Sequence, residues 1–293
     1  MTGIEKPLDF KIRRFYNKLN RNVTFHQDEL NKNCHRVVDA KSIRLYIIRS
    51  LKMCIRMLIF LEVVMRKVKE YFTIGEIILW SSSVLVIIIS FCTFDKINYM
   101  TLCASLIGVT SLIFNAKGNP FGQLLMVIFS LLYGIISYTF SYYGEMITYL
   151  GMTMPMAVFS LISWLKNPYN GNQAEVKVNS IGKREKIYMW IGTFVITFIF
   201  YFILKYYNTA NIIPSTLSVT TSFLAVYLTF RRSPYFALAY AANDVVLIVL
   251  WILASIYNIR YISVVICFMA FFVNDIYGFI SWRKMKIRQE RIS

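Results

Sequence analysis

Histidine is nearly missing from this chain: the only two, His26 and His35, lie in a polar N-terminal stretch. Their segment, "HQDELNKNCH", lacks the paired spacing that metal ligands need. Cys34, Cys54, Cys92, Cys103 and Cys267 are scattered without a CxxC. Four of them sit in or beside apolar runs, where cysteine behaves as a small hydrophobe, so neither a disulfide framework nor a zinc site is expected. No GxxxxGK[ST] occurs, which leaves an intrinsic P-loop ATPase unsupported. No Ser/His/Asp, Cys/His or HExxH set occurs either, so the chain does not read as an enzyme and implies no cofactor. Charge is also scarce. Only 16% of residues are Asp, Glu, Lys or Arg, where an ordinary soluble domain carries about 25%.

Apolar residues make up 57% of the chain, and they come in runs. About 20 such residues cross a hydrocarbon core of about 30 Å. Eight spans are expected, at 74–92, 98–115, 120–141, 144–165, 187–206, 213–230, 234–255 and 259–282. The net charge of +17 would suggest nucleic acid as a partner, but the basic residues cluster between and beside the spans, as in loops facing anionic lipid. Of 32 Lys and Arg, only Lys96, Lys205 and Arg260 fall on the other side if the N-terminus is inside. Both termini are therefore expected to be cytoplasmic, in a bacterial-type plasma membrane.

Residues 1–73 read as a basic cytoplasmic tail without a secretory h-region. Within it, Arg44, Arg49, Lys52, Arg56, Glu62, Arg66 and Lys67 share an arc of roughly 140°, the pattern of an amphipathic helix lying in the membrane interface. The segment 166–186, "KNPYNGNQAEVKVNSIGKREK", is polar and turn-rich and reads as a cytoplasmic loop, and 283–293 as a second basic tail.

The spans repeat. "GNPFG" opens the span at 120 and "RSPYF" the span at 234, each with a polar residue (Asn119, Ser233) before a proline expected at the first helical position. "LISW" and "FISW" close the corresponding bundles, and Trp164 and Trp282 stand 118 residues apart. Pro120 to Trp164 is 44 residues and Pro234 to Trp282 is 48, a difference close to one helical turn. The hydroxyl-rich helices "SLIGVTSLIF" and "STLSVTTSFL" precede the two prolines; small residues let membrane helices approach closely. The expected fold is thus all-α and integral to the membrane. It has two parallel three-helix repeats (98–165 and 213–282), a linker helix (187–206) and one extra helix (74–92) ahead of them. The two tryptophans, each beside Lys or Arg at a helix end, are expected to mark the membrane–water interface.

Two carboxylates are expected inside the hydrocarbon, Asp244 and Asp275, each preceded by an asparagine. Asp244 lies mid-span, where an ionisable residue marks a functional site by default. Tyr240, Asn243 and Asp244 share one face of their helix; Asn274 and Tyr277 share a face of the last one. Together they offer amide hydrogen bonds, aromatic planes and a negative charge at one depth, suited to a polar ligand with a flat, cationic ring. Gln123 is a further candidate from the first repeat. Asp275, off the main face, is expected to be structural. Polar residues also tie membrane helices together, so a structural role for each candidate stays open.

"GNPFGQLLMVIFSLLYGIISYTF", "SYYGEMITYLGMTMPMAVFSLISWLKNP" and "NDIYGFISWRK" together resemble the PnuC-type nicotinamide riboside transporters, also labelled nicotinamide mononucleotide transporters, over about residues 98–284. Asn274 and Tyr277 are similar to the family's Asn-x-x-aromatic motif, and Tyr240 to Asp244 to its aromatic-x3-Asp/Asn motif. The sequence departs from the family where Phe236 and Tyr240 stand in place of tryptophans, and Met269 in place of Asn or Arg. The resemblance implies a 3+1+3 fold like that of the SWEET sugar transporters, often as a homotrimer. It also implies facilitated diffusion of a vitamin nucleoside, which a cytoplasmic kinase then traps. Alternatives are a thiamine or deoxynucleoside carrier of the same family, a SWEET-like sugar carrier, or a vitamin-binding subunit that needs a separate ATPase.

Overall fold

The structure is a computed structural model and describes residues 70–139, 143–209 and 211–292; the expected interfacial helix of the tail lies outside them. Contacts divide the chain into Met1–Tyr71 and Phe72–Ser293, and the second unit is described below. Among the described residues, eight helices are long and apolar enough to cross a membrane. They are α1 (Ile74–Phe94), α2 (Tyr99–Ala116), α3 (Pro120–Thr139) and α4 (Tyr143–Leu165), then α5 (Lys183–Tyr206), α6 (Ile212–Phe230), α7 (Phe236–Ser255) and α8 (Ile262–Ile292).

Local chemistry sets several helix ends. Thr73 and Glu76 form a capping box at the start of α1: the Thr73 hydroxyl accepts from the Glu76 N–H, and the Glu76 carboxylate accepts from the Thr73 N–H at 2.7 Å. Pro120 opens α3, with the Asn119 side chain accepting from the Phe121 N–H. The match at Pro234 is looser, because Pro234 and Tyr235 form a turn and α7 begins at Phe236. There the Ser233 carbonyl accepts from the Phe236 N–H. Inside α4, residues Tyr149–Thr153 widen into a π-helical turn. Pro155 follows two residues later; it has no N–H to return to the preceding turn, and its ring crowds that turn's carbonyls, so the helix opens there.

The packing of α1–α4 is repeated by α5–α8. Helix α1 lies on α2 as α5 lies on α6, and the first helix of each three-helix group packs on the third helix of the other: α2 on α8, and α6 on α4. The cross-links are duplicated as well. Trp80 of α1 donates to Thr110 of α2 at 3.2 Å, and Thr197 of α5 meets Thr220 of α6 at 2.9 Å. Glu76 of α1 pairs with Lys117 just past α2, at 3.2 Å; Glu185 of α5 pairs with Arg231 just past α6. The bond from Glu185 raises the Arg231 pKa, keeping that guanidinium charged. Helices α1 and α5 bury only 22% and 17% of their membrane-length windows, against 56% for α2, so they form the periphery. The contact faces of α2 and α6 are small: Ala104, Ser105, Gly108 and Ser111 in one, Ser215, Ser218, Ser222 and Ala225 in the other. Lipid offers no hydrophobic drive for helix association, so close backbone approach and interhelical hydrogen bonds supply it.

At one end of the bundle, where α2, α4, α6 and the membrane part of α8 finish, the two Ser-Trp pairs cross over. Ser163 and Trp164 donate to the Phe230 and Thr229 carbonyls at the end of α6, at 3.0 and 2.9 Å. Ser281 and Trp282 donate to the Ala116 and Asn115 carbonyls at the end of α2, both at 2.7 Å. Both indoles are wholly buried. This corrects the expectation that they mark the lipid–water boundary: their N–H groups bind protein carbonyls, not headgroups.

The 166–186 segment contains more order than its composition suggested. Pro168–Tyr169 and Asn172–Val176 form an antiparallel hairpin. Its turn, Asn170-Gly171, has positive φ at both residues, which suits Asn-Gly to a two-residue hairpin. Val176 is fully buried and its N–H donates to the Gly118 carbonyl at 2.9 Å. The expected C-terminal tail is also helical, because α8 continues to Ile292 and Gln289 grips the Val176 carbonyl and the Val178 N–H.

Candidate functional site

The six candidate residues divide into two groups. Tyr240, Asn243 and Asp244 line a cavity between α2, α3, α4, α6, α7 and α8. Asn274, Tyr277 and Gln123 do not line it. Asn274 Nδ2 donates to Ser83 Oγ of α1 at 2.9 Å and to the Ala270 carbonyl. Tyr277 donates to Glu76 Oε1 at 2.9 Å. Gln123 Nε2 donates to Asn115 Oδ1 at 2.8 Å, tying α3 to α2. All three hold helices together in this conformation.

Asp275 goes the other way. Expected to be structural, it lines the cavity with Phe271 and Phe268, one and two turns earlier on α8. Adjacent residues on a helix point about 100° apart, so Asn274 can face α1 while Asp275 faces the cavity. The Asp244 and Asp275 carboxyls and the Tyr240 phenol line the same small cavity and interact electrostatically, and both carboxyl residues are about 4% exposed. Asp244 Oδ2 has no hydrogen-bond partner. Asn243 is more occupied, since its Oδ1 accepts from Ser218, Thr221 and Ser222 at 3.4, 2.8 and 3.0 Å.

The cavity draws equivalent positions from both halves. Gly108 and Ser222, Met126 and Tyr240, and Phe129 and Asn243 are each 114 residues apart, the spacing of Pro120 and Pro234. Thr153 and Phe271 are 118 apart, the spacing of Trp164 and Trp282. The cavity therefore sits on the axis relating the halves, with both of its carboxyls from the second. Gly108 is required here, because a Cβ would collide with the rings of Phe271 and Phe129. The enclosed volume is about 30 Å³, the share of a single water molecule in the liquid. Anything the size of a nucleoside enters only when the helices part. Two larger hollows, of about 220 and 350 Å³, open at the tryptophan end and have no lining residue in common with this one.

Three buried carboxylates, Glu76, Asp95 and Glu145, escaped the sequence reading because they lie near span ends, where acidic residues usually meet water. Glu76 is 3% exposed, held by Thr73, Lys117 and Tyr277. Its Thr-x-x-Glu capping signature was legible in "TIGE". Glu145, at the opposite end of the bundle, is equally buried, and its Oε2 has no partner. Its start-of-helix position carried no signal that it would be enclosed.

Eight membrane-length helices in two matching sets, closed on an acidic cavity at their shared axis, have the architecture of a multi-pass solute carrier. The chain belongs to the nicotinamide mononucleotide transporter family, whose model matches residues 98–284. It is 26% identical over 197 residues to the nicotinamide riboside transporter PnuC of Neisseria mucosa, covering 66% of this chain and 74% of that one. A solved structure, of the vitamin B3 transporter PnuC, superposes with a TM-score of 0.65 at 23% identity, over 74% of this chain and 94% of its own.

Proposed function

We propose that this chain carries nicotinamide riboside, or a closely related vitamin nucleoside, across the membrane by facilitated diffusion. The observation that carries the reading is the Asp244–Asp275 carboxyl pair lining the axial cavity beside Tyr240. Two carboxyls so close, walled by apolar side chains, are poorly compensated; a ligand with a fixed positive ring relieves that, and the Tyr240 ring can stack on it. A neutral hexose could hydrogen-bond to the pair but brings no positive charge to it, which makes the sugar-carrier alternative the weaker fit. The family and the name of the Neisseria mucosa relative point to the same substrate class.

In this reading the two halves, 98–165 and 213–282 with α5 between them in a 3+1+3 plan, rock about the cavity as α1 rides with the first. The Ser-Trp cross-links then hold the cytoplasmic side shut, and the basic residues near them support a reading with both termini inside. Phosphorylation of the delivered riboside by a cytoplasmic kinase would then keep it in the cell, and a homotrimer is the expected assembly.

Uptake into proteoliposomes containing this chain alone tests the proposal, with thiamine, deoxynucleosides and hexoses as competitors. Saturable riboside uptake that Asp244→Asn reduces by about tenfold or more is expected, as for losing a charge-assisted contact. Uptake only when an ATPase partner is added would replace the carrier reading with that of a binding subunit.

A further inference from the structure

At the end of the bundle away from the tryptophans lies a buried polar group that the axial cavity does not use. Glu145 is 3% exposed, and its Oε2 has no hydrogen-bond partner. Among the described residues no lysine or arginine forms an ion pair with it. The Tyr133 side chain, 6% exposed, is also buried, with the Trp251 ring 6.4 Å away. The Tyr133 and Tyr149 ring centroids are 4.4 Å apart, and both phenols feel the Glu145 carboxylate.

Tyr149 stands between two acidic stations. It lies one turn after Glu145, opens the π-helical turn of α4, lines the axial cavity, and is within electrostatic reach of both Glu145 and Asp244. π-Helical turns of this kind cluster at functional sites and can relax to regular helix, which would turn Tyr149 relative to Glu145. An uncompensated carboxyl inside a membrane protein is expensive, and such residues recur where ions or charged solutes pass. A flat cation crossing from Glu145 to Asp244 would stay beside an aromatic face throughout, with a carboxyl at either end.

We propose that Glu145, Tyr133 and Tyr149 form a second, outer subsite for organic cations, which receives the positively charged ring before it reaches the Asp244–Asp275 pair, with Tyr149 as the partition between them. This rests on the riboside reading above. It adds that selection for positive charge is made at the entrance as well as at the centre.

The test compares nicotinamide riboside, a cation, with its neutral 1,4-dihydro form in proteoliposomes of the full chain, at concentrations below saturation. Glu145→Gln is expected to slow uptake of the cation about tenfold. Uptake of the dihydro form and equilibrium binding of the riboside in detergent should each stay within about twofold. Glu145→Asp, which keeps the charge, should retain the preference for the cation even if both rates fall, and so guards against a fold defect in the Gln variant. Equal loss for cation and neutral form, or no loss for either, overturns the outer subsite and leaves the carrier reading standing. Absence of uptake of either form by the unaltered chain overturns the riboside reading and the subsite with it.

Discussion

The rings of Trp164 and Trp282 lie 5.3 Å apart, centroid to centroid, with Phe236 packed against both. Each indole comes from the third helix of its own half and binds the end of the first helix of the other. The contact is thus a reciprocal handshake across the axis between the halves. Among the described residues no ion pair joins the two rings' helices, so this end is enclosed by ring packing and hydrogen bonds.

Removing either indole N–H should loosen that end measurably. The Asn115 and Thr229 carbonyls also accept turn amides, from Gly118 and Arg232. Trp282→Phe or Trp164→Phe therefore loses a hydrogen bond without orphaning a carbonyl, a cost of about 1 kcal/mol each. The midpoint of thermal unfolding in detergent should drop for each variant. The double variant should deviate from additivity, because the rings touch. Unchanged midpoints would show that the cross-links contribute nothing to the closed state.

Adjacent residues Asn274 and Asp275 should separate stability from binding. Asn274→Ala removes bonds to Ser83 and Ala270, so it should cost about 1 kcal/mol of stability while riboside affinity stays within about twofold. Asp275→Asn removes a cavity carboxyl and should weaken affinity about tenfold. Isothermal titration alongside thermal melts distinguishes the two, and the reverse pattern would return the ligand site to the Asn274 face.

The duplicated ion pairs should not be equal. The Glu76 side chain is 4% exposed and serves Lys117, Tyr277 and the Thr73 amide, whereas that of Glu185 is 25% exposed. Glu76→Gln should cost about 3 kcal/mol, as for one partner lost from a buried pair. Glu185→Gln should cost about 1 kcal/mol or less, and that cost should shrink further in 1 M salt, which screens the half-exposed pair. Comparable melting shifts would contradict the burial difference.

Single cysteines report which end faces the cytoplasm. With the native cysteines replaced, a cysteine at Tyr257, which is 90% exposed in the α7–α8 turn, should react with a membrane-impermeant maleimide in intact cells. One at Asn172, exposed at the start of the hairpin's second strand, should react only after permeabilisation. Labelling in the opposite order reverses the sidedness assigned from the basic residues.

Much of this architecture is legible because the membrane simplifies the problem. Hydrocarbon demands long apolar helices with satisfied backbones, so hydropathy alone pointed to all eight helices, although α8 runs ten residues past the end expected for it, to Ile292. Pro120, Pro234 and the two Ile-Ser-Trp endings revealed the duplication before any contact was known. The equivalence of α1 with α5 was not legible, since peripheral helices facing lipid are chosen for apolarity and retain little pattern. It emerges from their packing and from the paired Glu76–Lys117 and Glu185–Arg231 contacts. In the site, Asp244 was legible as a charge in mid-span. The inward face of α8 was not, because Asn274 and Asp275 are both polar and differ only by a rotation.

The sequence by itself determined a multi-pass helical bundle and pointed to an internal repeat with acidic residues inside its spans, because those properties follow from hydropathy, charge and spacing along the chain. Only the tertiary structure decided which polar side chains meet. Asp275 joins Asp244 while Asn274 turns to Ser83; the tryptophans leave the lipid boundary for each other; and Glu145 is enclosed beside Tyr133 and Tyr149. Each of those outcomes depends on the rotation of one helix against another, set by interlocking side chains from segments more than a hundred residues apart or by local turns such as the π segment of α4. Periodicity along one chain carries no information about that angle.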